Sequence, residues 1–321
     1  MPKNPFPMSD HVLLSPDAAR KELEKIREKS CMTEKQIHEL WSHVPNDILR
    51  GKPCRKSECL TRDAFFEKII DGCQTDRDRI AALFLARGFL LEKRGDLYGM
   101  DWREERLNGK ALDDELTRLN LGRVNNGEVI IPDDAKWETA KALFGSAEIG
   151  GEVCAYRNVT WSEFAKYRGE IGVDTLRLEP YIALYVRAVN LCGVKTVGCC
   201  DGNHPGKHRA FLQFYGEPFR IWHRFLIGVI GGEFYSLWNE KGSEIRFVEQ
   251  TQYGLYYSLY KAALYLLHNC EAIMKIRDEW LNMLDPEELN SSDSKAAVLI
   301  LKEFVPPLVR IAQLKDPGSL F

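Results

Sequence analysis

The chain contains no apolar run long enough to cross a bilayer. Its most apolar stretches, Phe225 to Ile230 and Ala262 to Leu267, fall far short of the ~20 residues that a membrane helix needs. Met1 to Leu14 carries only the brief apolar run Val12 to Leu14, too little for the core of an export signal. Neither sign of charge dominates, because 44 basic and 47 acidic side chains leave a formal net charge of −3. That balance provides no global field towards nucleic acid or anionic lipid, so any such contact would be local. Also missing are a P-loop, a Gly-x-Gly-x-x-Gly turn after a strand, a Gly-x-Ser-x-Gly elbow, a His-Glu-x-x-His helix and a kinase signature, which lowers the weight of the common nucleotide and hydrolase chemistries. The expectation is a cytoplasmic protein that does not span a membrane.

What is present is ordinary for a packed globular protein: 45% hydrophobic, 28% charged and 11% aromatic residues over 321 positions. A chain of this length buries a sizeable core without staples. Its nine cysteines are odd in number and scattered, unlike a secreted disulfide scaffold, and most should be reduced thiols packed as small apolar groups.

The first half reads as helices with start signals. Ser15-Pro16-Asp17 opens one over Ala18 to Lys29, and the Thr33/Gln36 pair opens another with Ile37, Leu40, Trp41 and Val44 on one face. Thr61 starts a helix ending at Gly72, and Thr75 starts an apolar one running to Leu91 and ending near Gly95. Val129 to Ile131 is a short strand and Ala135 to Phe144 a helix, before Gly145, Gly150 and Gly151 mark a boundary near residue 150.

The second half has a different rhythm. Pro180 to Leu191 reads as a helix, Val194 to Val197 as a strand, Gly198 to His208 as a loop, Ala210 to Tyr215 as a strand and Pro218 to Ile230 as a helix. Phe234 to Trp238 and Ile245 to Val248 form a hairpin, followed by a long helix from Gly254 to Leu284. Two hairpin-plus-helix units of this kind predict an α+β fold: a helical N-terminal region (1–150), then an antiparallel sheet with helices packed on one face (151–284) and a C-terminal helical segment (285–321).

The densest group of reactive side chains is Cys199, Cys200, Asp201, His204 and His208, with Cys192 just before it. Thiolates and imidazoles converging on one loop could hold a tetrahedral zinc ion through Cys199, Cys200, His204 and His208, although no cofactor is required by the pattern. Paired Cys-x-x-Cys knuckles are missing, and a turn in which Gly198 and Gly202 supply unusual backbone angles accounts for the same residues. Cys200 with either histidine could also form a nucleophilic pair, but no third group that would orient the base is evident.

Asn190, Gly193, Thr196, Cys200, Asp201 and Gly202, followed by the strand with Phe211 and Phe214, resemble a signature of uncharacterised phage and bacterial proteins. In those, a helix ending in Leu-Asn-x-x-Gly leads through Thr to Ser-Cys-Asp-Gly-His and an apolar strand. A more distant likeness is to the tRNA wybutosine-synthesising methyltransferase family, with its Ser-Cys-Ser-Gly turn. The match covers residues 179–214, with Cys199 in place of the Ser and Asn203 where the His would stand, His204 coming one place later.

Arg50, Lys52, Arg55 and Lys56 around Cys54 form the strongest basic patch, and Cys54, Cys59 and Cys73 could place a metal beside it. No aromatic platform is interleaved with these cations, and nucleic acid is not the expected partner. Tyr253, Tyr256, Tyr257, Tyr260 and Tyr265 on the long helix, with Trp238 on the strand before it, make Trp238, Tyr256, Tyr257 and Tyr260 candidate interface residues. A helix of some 30 residues would reach about 45 Å and protrude, which predicts a two-fold homo-oligomer unless the final helices fold back over it.

The reading that follows is a non-catalytic protein-binding accessory protein. The resemblance implies, more finely, a phage-encoded inhibitor of a bacterial anti-phage defence complex, acting on a host protein in the bacterial or infected cell. The alternative is a metal-dependent or RNA-modifying enzyme centred on the Cys199–His208 loop.

Overall fold

The computed structural model describes residues 60–95, 97–100, 102–145, 156–169, 174–203, 210–230, 237–241, 244–248, 251–292 and 297. The two helices expected before residue 50, and the basic patch at 50–56, lie outside the described residues.

Helix α1 (Arg62–Ile69) and helix α2 (Asp76–Ala86) begin where the sequence signals place them. The Thr61 hydroxyl accepts from the Ala64 amide at 3.2 Å, and Thr75 forms a reciprocal capping box with Asp78. Helix α2 is shorter than its apolar run. Arg87 and Gly88 end it, Gly88 with φ +107°, and the chain from Leu91 turns into a strand. That strand, β1 (Leu91–Arg94), pairs with β2 (Leu97–Met100) around Gly95, which has φ +64°. Helix α3 (Trp102–Arg118) follows, then β3 (Arg123–Asn125) and β4 (Glu128–Ile130). These four strands make an antiparallel sheet of order β1-β2-β4-β3, so the first half carries a sheet of its own beside its helices. The helix expected over Ala135 to Phe144 is a 3-10 helix, Trp137–Phe144.

The second half starts with the short helix α4 (Trp161–Lys166) and continues with α5 (Ala183–Leu191), β5 (Thr196–Cys200), β6 (Phe211–Phe214), α6 (Glu217–Ile230), β7 (Leu237–Lys241) and β8 (Glu244–Val248). The second sheet is antiparallel throughout, in the order β5-β6-β8-β7. Leu212, Phe214, Ile245 and Phe247 are buried, whereas Arg246 between the latter two is exposed, so one face of this sheet packs on the core and the other meets water. Helices α5 and α6 cover the buried face: Tyr185 meets Phe247 at 5.9 Å between ring centroids and His223 meets Phe214 at 4.9 Å.

The expected long helix is two helices, α7 (Gln252–His268) and α8 (Cys270–Leu281), broken at Asn269. Asn269 leaves the helical basin, with φ −104° and ψ 12°, and its side-chain amide donates to the Tyr265 carbonyl at 2.8 Å. A 45 Å protruding rod is therefore not formed. The last described helix is α9 (Pro286–Leu289), capped by Asp285. Beyond it Ala297 is buried, and its carbonyl accepts from the Trp280 indole at 3.2 Å, so this part of the C-terminal segment does return to cover α8.

Buried side chains from both halves form one hydrophobic core. Residues 146–155, around the expected boundary, lie outside the described set. On either side of it, Phe65 packs edge-on to Tyr181 at 5.6 Å and Tyr256 at 6.3 Å, while Trp222 stacks on Trp280 at 5.4 Å. No described helix is long and apolar enough to cross a membrane.

Candidate functional site

Helix α5 is buried on every side, as a helix through the middle of a core must be. Its polar side chains therefore need internal partners. Asn190 has three: its amide donates to the Val186 carbonyl at 2.7 Å and to the Thr196 hydroxyl at 2.9 Å, and its oxygen accepts from the Tyr167 hydroxyl at 3.0 Å. The helix ends at Gly193, whose φ of +85° permits the Gly193 amide to reach the Asn190 carbonyl and the Val194 amide to reach the Val189 carbonyl. The Asn, Gly and Thr of the sequence motif are thus a helix stop and a clamp onto the next strand.

Strand β5 includes Cys199 and Cys200, where the sequence pattern predicts a loop. Cys199 pairs in register with Leu212 and Cys200 with Phe211. Neighbouring residues of a strand project to opposite faces, so these two thiols cannot easily turn to one ion. Cys200 is buried and its sulfur accepts from the Gly202 amide at 3.3 Å, while Cys199 is half-buried. Burial pushes both thiols up to about 12, with the nearby Glu179 carboxylate adding to the rise. Both are therefore protonated at neutral pH.

Asp201 follows β5, and Gly202 turns the chain with φ +79°. Asp201 and Glu179 are both buried, and the Asp201 amide donates to the Glu179 carboxylate. The Asp201 carboxylate accepts from the Asn203 amide at 2.8 Å and, more weakly, from the Tyr181 amide at 3.5 Å. From α7 the Tyr256 hydroxyl donates to the Asp201 carbonyl at 2.9 Å, and Gln252 donates to both Tyr256 and the Asn203 side chain. Burial first, and hydrogen bonding to Glu179 second, lift the Asp201 carboxyl to about 7, against the opposing amide bonds.

The turn after β5 thus joins Cys200, Asp201, Gly202 and Asn203 to Glu179, Tyr181 and α7, whereas Asn190 and Gly193 act at the other end of β5. His204 and His208 lie outside the described residues. Among the described residues no three His, Cys, Asp or Glu side chains gather as a metal site. Of the other thiol group, Cys73 is half-buried and raised to about 11 by burial, and Cys54 and Cys59 lie outside the described set.

The aromatic candidates separate. Tyr256 is fully buried, its ring stacked on Tyr181 at 4.4 Å, so it is a core residue and not an interface residue. Tyr257 and Tyr260 are half-buried and their rings stack at 6.3 Å, with the ammonium groups of Lys68 and Lys261 5.1 and 4.8 Å from the Tyr257 ring. Trp238 sits in β7 opposite Phe247.

Glu179 was not singled out by the sequence, and neither were Arg87, Arg187 and His223, all buried. The available signal was a charged or polar residue inside an apolar run, as at Ala86-Arg87-Gly88-Phe89 and Val186-Arg187-Ala188. His223 contacts the Tyr185 hydroxyl at 2.8 Å, and burial lowers it to about 3, which keeps the imidazole neutral. No protein-family model, curated protein or solved structure matches the chain.

Proposed function

We propose that this chain acts by binding another protein and not by covalent chemistry. One observation carries the reading: the reactive side chains of the motif are spent on holding its own turn. Asn190 clamps α5 to β5, Gly193 and Gly202 supply positive φ, and Cys199 and Cys200 are held as protonated thiols. A thiol in that state is a poor nucleophile and a poor metal ligand. The stacked Tyr257–Tyr260 pair with its two lysines is a rigid, amphipathic and partly exposed surface of the kind that protein interfaces use.

The finer proposal is a phage-encoded inhibitor that occupies a bacterial anti-phage defence complex, and it rests on the sequence resemblance over residues 179–214. Assembly into a homo-oligomer remains part of the proposal, now through the Tyr257–Tyr260 face instead of a protruding helix. The test is co-purification from lysates of bacterial hosts, with a Tyr257→Ala/Tyr260→Ala variant beside the wild type. A stoichiometric protein that follows the wild type and is lost with the variant is expected; a clean preparation from every host tried would overturn the reading.

A second reading is an enzyme centred on the 199–208 turn, either metal-dependent or RNA-modifying. The Asp201 carboxyl favours it, because a group raised to about 7 can both give and take a proton at neutral pH. Elemental analysis of protein purified without a metal-affinity tag tests the metal form: stoichiometric zinc, lost on Cys200→Ala/His204→Ala substitution, would support it.

A further inference from the structure

Helix α5 is capped at its end by Cys192, and α8 begins on Cys270. Each thiol reaches across to the other's segment. The Cys192 sulfur donates to the carbonyl of Leu266, in the last turn of α7, at 3.6 Å, and the Cys270 sulfur donates to the carbonyl of Leu191, next to Cys192, at 3.5 Å. The two thiols are also hydrogen-bonded to each other. The packing of α8 agrees with this placement. Met274 and Arg277, one and two turns on from Cys270, lie against Gly193: a Cβ there would be 3.1 Å from the Met274 sulfur and 2.9 Å from Arg277 Cδ. Cys270 therefore projects from the face of α8 that meets the end of α5. The backbone at Cys192 is fixed from a third direction, since its carbonyl accepts from the Trp222 indole at 2.7 Å.

We propose that Cys192 and Cys270 form a redox modification site, at which hydrogen peroxide converts the two thiols into a disulfide that ties the end of α5 to the start of α8. The site is independent of the binding surface proposed above. Cys270 is half-buried and is the thiol that peroxide reaches, whereas Cys192 is fully buried. Burial first, and the bond to Cys270 after it, push the Cys192 thiol well up, so nearness and not acidity makes it the resolving partner.

In the first step the Cys270 sulfur gives up its proton and attacks one peroxide oxygen. The O–O bond breaks, a sulfenic acid forms on Cys270, and the other oxygen leaves as water with that proton. In the second step the Cys192 sulfur attacks the Cys270 sulfur. The S–O bond breaks, the S–S bond forms, and the hydroxyl leaves as water with the Cys192 proton. Two electrons pass from the two sulfurs to one peroxide, and two electrons from a small dithiol restore both thiols. Cys199 and Cys200 offer no such pair, because neighbours on one strand project to opposite faces. The new bond would join two points far apart in the sequence, which restricts the unfolded chain and raises the resistance of the fold to urea. It would also anchor α8 beside the break at Asn269 that separates it from α7.

The test uses the whole chain, purified with dithiothreitol, freed of it, treated with hydrogen peroxide, blocked with N-ethylmaleimide and digested for mass analysis without reduction. Expected is a cross-linked peptide pair joining Cys192 to Cys270, two hydrogens lighter than the free peptides together and separated again by dithiothreitol. The urea midpoint of the oxidised protein should lie above that of the reduced protein. Cys192→Ala should trap the intermediate, so that dimedone labels Cys270. Cys270→Ala should leave Cys192 a thiol and remove the midpoint shift. A wild-type pair that stays reduced under peroxide, a cross-link from either cysteine to a different one, or dimedone-labelled Cys270 accumulating in the wild type overturns the site. An oxidised midpoint at or below the reduced one overturns the tie. The wild-type peptide map decides the pairing even where a variant does not fold.

Discussion

The guanidinium of Arg87 donates to the backbone carbonyl of Thr175 at 2.8 Å, and through this bond a helix of the first half is tied to the segment that leads into the second. The same side chain also reaches the carbonyls of Leu143, Leu176 and Leu178, so one guanidinium serves four backbone carbonyls. Arg187 reaches the same residue from α5, donating to the Thr175 hydroxyl at 2.5 Å. Burial lowers the Arg87 guanidinium to about 10, which still leaves it charged.

Replacing Arg87 by Met keeps most of the volume and strips every donor. Each buried carbonyl left without a partner costs about 1–3 kcal/mol, partly recovered where water can enter. A loss of about 3 kcal/mol in urea unfolding is expected, and Arg87→Lys should recover only part of it, because an ammonium cannot span the fork that a guanidinium fills. Wild-type stability in Arg87→Met would show that this tie is dispensable.

Asp78, at the third position of α2, takes hydrogen bonds from Lys93 at 2.5 Å, Tyr98 at 2.7 Å and Thr75 at 2.8 Å. Burial works to raise its carboxyl, and the hydrogen bonds from Lys93, Tyr98 and Thr75 outweigh it and hold it at about 2. Its contribution to stability is present above the unfolded carboxyl range near 4 and is lost as pH falls through about 2. In Asp78→Asn the urea midpoint should be lower at pH 7 and its slope between pH 4 and 2 shallower than in the wild type. Equal slopes would refute this.

Gly193 and Gly95 both hold positive φ, +85° and +64°, but their surroundings differ. A Cβ at Gly193 would lie 2.9 Å from Cδ and Nε of Arg277, a fully buried side chain with no room to move, whereas at Gly95 it meets nothing within 4 Å. Gly95→Ala should therefore cost only the backbone penalty of about 1–2 kcal/mol. Gly193→Ala adds a clash and should cost roughly 1–3 kcal/mol more, in the range of core overpacking. Thermal unfolding of the two variants side by side reads the difference, and equal shifts would remove the packing argument.

Thiol mapping tests the chemistry of the turn. With iodoacetamide at pH 8 followed by peptide mass analysis, Cys192, Cys199 and Cys200 should stay unmodified in the folded protein, since burial raises all three. All three should react once urea unfolds the chain. Rapid labelling of Cys200 in the native state would instead point to an activated nucleophile and favour the enzymatic reading.

Local signals carried much of this fold. The Thr61 and Thr75 caps, the Gly193 stop and the β6–α6–β7–β8 order are written in short stretches, because caps and turns depend on few residues and on backbone angles that glycine alone adopts cheaply. Of the first sheet only β4 was legible, as the strand expected at Val129 to Ile131. Its strands are three or four residues long, and Leu91 to Arg94 continues an apolar helical run without a periodicity of its own. The break at Asn269 was hidden for a similar reason, as the apolar pattern runs on through both α7 and α8 while the backbone of Asn269 alone leaves the helical basin.

By itself, then, the sequence determined the α+β class, most helix starts and the turn at Asp201–Gly202, all of which depend on residues close together along the chain. Only the tertiary structure decided that Glu179 meets Asp201, that Arg87 spans to Thr175 and that Tyr256 is core while Tyr257 is not. Those outcomes depend on which buried polar groups can find partners across the fold. Hydrogen bonding away from water is settled by distance in space, and separation in sequence carries no record of it.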